Sequence, residues 1–274
     1  MPIAKLRIGR AGIAALVVGA LVVLLYAPAL RWLALTWWLD PYYSHGWLIP
    51  PVSAVLAWRR RAVWRERQPA NAGLLLLASG VALYILGWLL SAQFVVAFSL
   101  LPVLGGLAWT FLGTHAVRAL AFPIAFLAFA VPLPWVEAWT VPLESLTAGW
   151  AAGLVQLAGV PVTVVGGQVH LPACDLVVGA ACSGMRSLIA LLALGTLLAY
   201  LLQGWWGHRL AVGLAALPLA LAGNVLRVAT ILAVAHVAGA GAATLAHDLI
   251  GPVFFFAALG LLLLLGRALG LRLT

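Results

Sequence analysis

Asn71-Ala-Gly-Leu-Leu-Leu-Leu-Ala-Ser-Gly-Val-Ala-Leu-Tyr-Ile-Leu-Gly-Trp-Leu-Leu90, then Ser91-Ala92, then Gln93-Phe-Val-Val-Ala-Phe-Ser-Leu-Leu-Pro-Val-Leu-Gly-Gly-Leu-Ala-Trp-Thr-Phe-Leu112, contains no charged side chain. Each half is as long as the ~18–20 mainly apolar residues that a helix needs to cross a bilayer. The short join between the halves demands a tight antiparallel pair of helices. The rest of the chain agrees. Of its 274 residues 65% are hydrophobic and 8% charged, against about 25% charged in a soluble domain. Such a chain has too little polar surface to cover a soluble particle. It reads as one polytopic membrane domain, residues 1–274.

Further apolar runs lie at about 11–30, 46–58, 117–131, 183–202, 210–236 and 249–265. With the central pair they make about eight transmembrane helices. The run at 46–58 is short for a span. The stretch 31–43 carries Trp32, Trp37, Trp38, Tyr42 and Tyr43, an interfacial aromatic belt. Residues 132–182 differ in character and read as an extracytoplasmic insertion. Within them Trp135, Trp139, Leu143, Leu146 and Trp150 recur at helical spacing, with Glu137 and Glu144 off the stripe. That pattern suits an amphipathic helix lying on the membrane. Two β-branched runs then flank Gly166-Gly167, which predicts a short β-hairpin.

The net charge of +9 and pI of about 10.8 would suggest nucleic acid in a soluble protein. Here the bases sit in short clusters between apolar runs, and no basic face with interleaved aromatics appears. The positive-inside rule accounts for them. With Lys5, Arg7 and Arg10 in the cytoplasm and the spans alternating, Arg59, Arg60, Arg61, Arg65, Arg67, Arg118, Arg209, Arg267 and Arg272 also fall inside. Twelve of the fifteen Lys and Arg residues then share one side; Arg31, Arg186 and Arg227 are the exceptions. This places the chain in the plasma (inner) membrane with both termini cytoplasmic. The first apolar run has no clean cleavage site after it and reads as a retained helix.

Intramembrane charges are costly, about 2.5–3.5 kcal/mol for Arg on insertion scales, and mark functional sites by default. Arg227 lies roughly 25 Å along its span at 1.5 Å per residue, near the outer boundary. Cys182 opens the preceding span on that side, where helix N–H groups stabilise a thiolate. Arg186 is four residues on. His247 precedes the last span, also outside, and an imidazole titrating near about pH 6.5 can donate a proton to a leaving amine. Three complementary groups from three spans thus reach one depth on one face. Asn224 lies a turn below Arg227 and can orient it. His45 on the outer side is an alternative base. Each group also has a plain structural reading: a small buried cysteine, a snorkelling or ion-paired arginine with Asp40, Asp175 or Asp248 as partner, and a histidine beside an Asp248 helix cap.

The segment Ala181-Cys-Ser-Gly-Met-Arg-Ser-Leu188, Asn224-Val-Leu-Arg227 and His247-Asp-Leu-Ile-Gly251 together resemble the three motifs of the exosortase/archaeosortase family. Asp40-Pro-Tyr-Tyr-Ser-His-Gly46 is similar to that family's early Tyr-Ser-His-Gly element, so the likeness runs from about residue 36 to 266. The resemblance implies a membrane cysteine protease or transpeptidase. Its partners would be membrane-anchored protein substrates with a C-terminal, PEP-CTERM-like sorting signal. It implies Cys182 as nucleophile, Arg227 as stabiliser of oxyanion or thiolate, and His247 as general acid/base. Ser183, Gly184, Arg186, Asn224, His45 and Asp248 would support them or bind substrate. No metal or organic cofactor is expected. The two cysteines, Cys174 and Cys182, are too few for a disulfide framework and lack zinc spacing. They leave open a thiol-disulfide oxidoreductase that uses both, or a Cys174–Cys182 disulfide that masks the nucleophile. A non-catalytic lipid-binding assembly factor, with Arg227 on a phosphate headgroup, is the third reading.

Overall fold

The computed structural model describes residues 10–64, 68–165, 167–172, 174–177, 179 and 182–273. The first basic cluster around Lys5 and Arg7, Arg65, Arg67, the hairpin residue Gly166 and Ala181 of the cysteine motif lie outside the described residues. The chain divides into two compact units, 1–132 and 133–274.

The first unit contains helices α1 (Arg10–Leu39), α2 (Ile49–Arg59), α3 (Ala72–Leu89), α4 (Gln93–Leu112) and α5 (Thr114–Phe126). The predicted hairpin is α3–α4. Its sequence basis is a stripe of glycines seven residues apart, Gly73, Gly80 and Gly87, buried against α4. A Cβ on Gly80 would stand 2.7 Å from Val103, and one on Gly87 would stand 2.7 Å from the Val96 nitrogen. Gly106 meets the Leu77 backbone in the same way. In lipid, helices gain nothing from excluding water from one another. Close backbone approach through small residues and the dispersion it brings take that role. Tyr26 of α1 ties in by a 2.7 Å hydrogen bond to Ser99 of α4.

Between α1 and α2 the chain makes a 3-10 turn, Pro41–Trp47, capped by Asp40, whose Oδ1 accepts from the Tyr42 N–H at 2.8 Å. Trp37 lies over Gly46, where any side chain would clash with the indole. Its Nε1 donates to the Ala130 carbonyl at 2.7 Å. The aromatic belt thus also locks one end of this unit.

The second unit contains α6 (Trp135–Leu157), a small antiparallel sheet, α7 (Met185–Leu201) and α8 (Trp206–Ala268). The sheet is β1 (Thr163–Val165), β2 (Gln168–His170) and β3 (Asp175–Val177), in that order, so three strands stand where two were expected. Val164, Val169 and Leu176 share its inner face and join a core built from α6 and α8. The tryptophan stripe of α6 points outward: Trp135, Trp139 and Trp150 are exposed. The opposite face, Thr147, Ala148, Ala151, Ala152 and Val155, is buried. Two short strands, β4 (Leu202–Gln203) and β5 (Arg272–Leu273), pair across the ends of α7 and α8.

The long element α8 is not a rod. Gly239, at φ 80° and ψ 176°, breaks it. A straight helix would hold residues 227 and 251 roughly 36 Å apart, yet a Cβ on Gly251 would lie 3.5 Å from the Arg227 guanidinium. Gly223 likewise faces Phe254, and Gly266 faces Val212. The element folds back at Gly239 into two antiparallel arms. The outer segment expected between the last two spans, 237–248, is therefore not a loop. It is helical apart from that one glycine, as befits its alanine-rich sequence. His247 and Asp248 consequently sit within the second arm rather than ahead of a helix.

Among the described residues five stretches are long and apolar enough to cross a membrane: Leu16–Leu39, Ala72–Leu89, Gln93–Leu112, Trp206–His247 and Leu249–Ala268. Thr114–Ala130 and Met185–Leu201 are apolar but shorter. The helix at Ile49–Arg59 is shorter still, 11 residues, because Arg59, Arg60 and Arg61 cut its apolar run.

Candidate active site

Cys182 sits in a turn just ahead of α7. Its N–H donates to the Gly179 carbonyl at 2.7 Å. Ser183 is buried, and its Oγ accepts from the Met185 N–H at 3.3 Å. Gly184 follows at φ 79°, a left-handed conformation that a side chain disfavours. A Cβ there would also stand 2.5 Å from the Asn224 amide. Glycine is therefore required twice over, and it lets the cysteine turn settle onto the first arm of α8.

Asn224 clamps this turn. Its Nδ2 donates to the Cys182 carbonyl at 2.9 Å and to Thr147 Oγ1 of α6 at 3.3 Å. Its Oδ1 is buried and has no hydrogen-bond partner among the described residues. One turn further along, Arg227 Nη2 lies 3.0 Å from His247 Nε2 and 3.4 Å from the His247 carbonyl. Guanidinium has no acceptor, so it donates and Nε2 must offer a lone pair. The contact therefore selects the imidazole tautomer with its proton on Nδ1. Arg227 Nε is buried and has no hydrogen-bond partner among the described residues. A narrow cleft of about 30 Å³, lined by Ser187, Asn224, Arg227, Gly251 and Phe254 among others, runs beside these groups. That is room for about one water.

Burial pushes the Cys182 thiol above its ordinary range; the positive charge of Arg227 opposes this and the negative charge of Glu144 adds to it. The expectation of a thiolate held by the helix N-terminus is corrected here. Cys182 lies three residues ahead of the first residue of α7 and packs on the apolar core, where desolvation disfavours the thiolate.

The other expected residues divide. Arg186 is exposed on the first turn of α7, and it does not share a helix face with Cys182, which lies outside the helix. His45 belongs to the first unit, where its Nε2 lies 3.0 Å from the Phe129 carbonyl. The side chain of Asp248 is outside the described residues. Asp175 pairs with His170 at 2.8 Å. Cys174 and Cys182 are both free thiols, half-buried against the same core. Among the described residues no group of three or more His, Cys, Asp and Glu side chains could hold a metal ion.

Sequence reading missed Thr147 and undervalued Glu144. Both belong to the inward face of α6, at positions 140, 144, 147 and 151. The only signal was that Glu144 stands off the tryptophan stripe.

The fold and the cluster define a mostly helical membrane protein in which Asn224 holds the turn of a half-buried cysteine, one helical turn from a paired guanidinium and imidazole. The chain belongs to the transmembrane exosortase family, whose sequence profile matches residues 37–264. Neither the curated proteins nor the solved structures compared with it contain a match.

Proposed function

We propose that this protein is a membrane cysteine peptidase or transpeptidase that cleaves C-terminal sorting signals of exported, membrane-anchored proteins. The observation that carries this reading is the linkage of three motifs. Asn224 bonds the Cys182 turn, and Arg227, one turn on, bonds His247 from the opposite arm. Family membership supports the peptidase chemistry. The charge asymmetry of the chain supports an extracytoplasmic site in the plasma membrane with both termini inside.

Arg227 occupies His247 Nε2 at rest. A substrate carbonyl draws the guanidinium away and frees that nitrogen. The imidazole then takes the Cys182 proton, and the sulfur attacks the carbonyl carbon. Arg227, through Nε and its terminal N–H groups, stabilises the oxyanion. The imidazolium returns its proton to the leaving amine as the C–N bond breaks, which leaves a thioester on Cys182. An acceptor then attacks the thioester and releases the thiol.

The test is co-expression with a membrane-anchored substrate that carries a candidate sorting signal. Wild-type protein shortens the substrate and forms a thioester on Cys182 detectable by mass spectrometry. Processing that survives Cys182→Ala would overturn the reading.

A further inference from the structure

Glu144 is a carboxylate without a job in the acylation step. It lies on the face of α6 that meets the site: Thr147, three residues on, accepts from the same Asn224 amide that holds the Cys182 carbonyl. Residues three apart share a helix face. The Glu144 side chain is half-buried and makes no hydrogen bond or ion pair among the described residues. Arg227, on the facing arm of α8, makes its hydrogen bonds to His247 instead. A carboxylate withdrawn from water without a partner is costly. Its charge also opposes thiolate formation at Cys182, so it does not help the first half of the reaction. A positively charged group entering from outside resolves both points.

We propose that Glu144 forms the acceptor side of this site: it holds an incoming primary ammonium group and takes one of its protons, so that the acyl group on Cys182 passes to an amine. This rests on the reading of Cys182 as an acyl-forming nucleophile. The ammonium carries three protons. One goes to the Glu144 carboxylate, and the free amine attacks the thioester carbonyl. The C–S bond breaks, the sulfur takes the second proton as the amide forms, and the third remains on the amide nitrogen. A neutral hydroxyl or water gains no such attraction from the carboxylate.

The test uses the full-length protein in phosphatidylcholine nanodiscs with 4-nitrophenyl acetate, which acylates thiols without needing a peptide motif. Released nitrophenolate counts the acyl-enzyme. Glycinamide is then offered as a soluble amine, ethylene glycol as a hydroxyl control, and phosphatidylethanolamine discs as a lipid amine. Wild-type protein is expected to give a burst absent from Cys182→Ala, and then acetylated amine in preference to acetate or ester. Which amine reacts separates a lipid source from a soluble one. Glu144→Gln should give a burst at least as fast as wild type, since the opposing charge is gone, while losing amine transfer by ~100-fold, the scale of general acid–base effects. Glu144→Asp should recover part of it. A Glu144→Gln protein that partitions to amine as wild type does, or a wild type that acylates but yields only acetate, overturns the proposal alone. A wild type with no Cys182-dependent burst overturns the Cys182 reading and this proposal with it.

Discussion

Arg227 Nη2 lies 3.0 Å from His247 Nε2, across two helical arms that fold back on each other at Gly239. A hydrogen bond from a charged donor to a neutral acceptor contributes about 1.5–3 kcal/mol. It holds the imidazole in one tautomer. Planar guanidinium can make it with one nitrogen and keep others for a substrate oxygen; ammonium cannot cover both directions. Arg227→Lys is therefore expected to lose about 10²–10³-fold in turnover, the scale of a lost oxyanion donor. Substrate processing rates at equal protein levels check this.

The Cys182 thiol should report its surroundings. Burial and the negative charge of Glu144 disfavour its ionisation, and the positive charge of Arg227 favours it. Iodoacetamide reacts with the thiolate, so labelling of Cys182 should be slow at neutral pH and rise at a higher pH than for an ordinary thiol. Arg227→Gln should move that rise to still higher pH. Glu144→Gln should move it lower and speed labelling at neutral pH. Labelling rates across a pH series, read by mass spectrometry, give the order.

Gly239 has backbone angles close to those that only glycine adopts readily. Gly239→Ala should cost about 1–3 kcal/mol of stability and pull Arg227 away from His247, with loss of processing. Gly241, two residues on, has nothing within 4 Å of an added Cβ. Gly241→Ala should leave stability unchanged or raise it by up to about 1 kcal/mol, the helical preference of alanine. Thermal unfolding of the two variants in detergent separates a backbone requirement from a general intolerance of change.

Gly80→Ala places a methyl group 2.7 Å from Val103 Cγ2 and 2.8 Å from the Val103 backbone nitrogen. The backbone cannot yield as a side chain can, so α3 and α4 must part. The expected loss is about 1–3 kcal/mol, as for other overpacked contacts. Gly19→Ala, with open space around it, is the control. Unfolding curves and protease sensitivity of the α3–α4 hairpin read the difference.

Gly184→Ala strains the turn at φ 79° and drives a methyl group into the Asn224 amide. The clamp on the Cys182 carbonyl should fail before the bundle does. Acylation by 4-nitrophenyl acetate should fall by about tenfold or more, given how steeply rate depends on reactive geometry. Unfolding temperature should fall as for other overpacked contacts, about 1–3 kcal/mol, so acylation is compared at a temperature where both proteins stay folded.

Membrane residence, the α3–α4 hairpin and the chemical identity of Cys182, Arg227 and His247 were determined by the sequence alone. Apolar length, charge placement and residue type are properties of the linear chain. The glycines at positions 73, 80 and 87 already state, by their spacing, which face of α3 meets its neighbour. Other features were decided only in three dimensions. The apolar runs could not tell a loop at 237–248 from a helix broken once, because the reversal depends on the dihedral angles of Gly239 and on two arms packing through Gly223, Gly251 and Gly266. Helix position alone suggested a thiolate at Cys182; burial against α6 and the sheet reversed that balance, since desolvation is set by neighbours distant in sequence. The same holds for Thr147 and Glu144. Only the place of Glu144 off the tryptophan stripe marks them locally, and the link to the Cys182 turn comes from the side chain of Asn224 reaching across to Thr147 on α6.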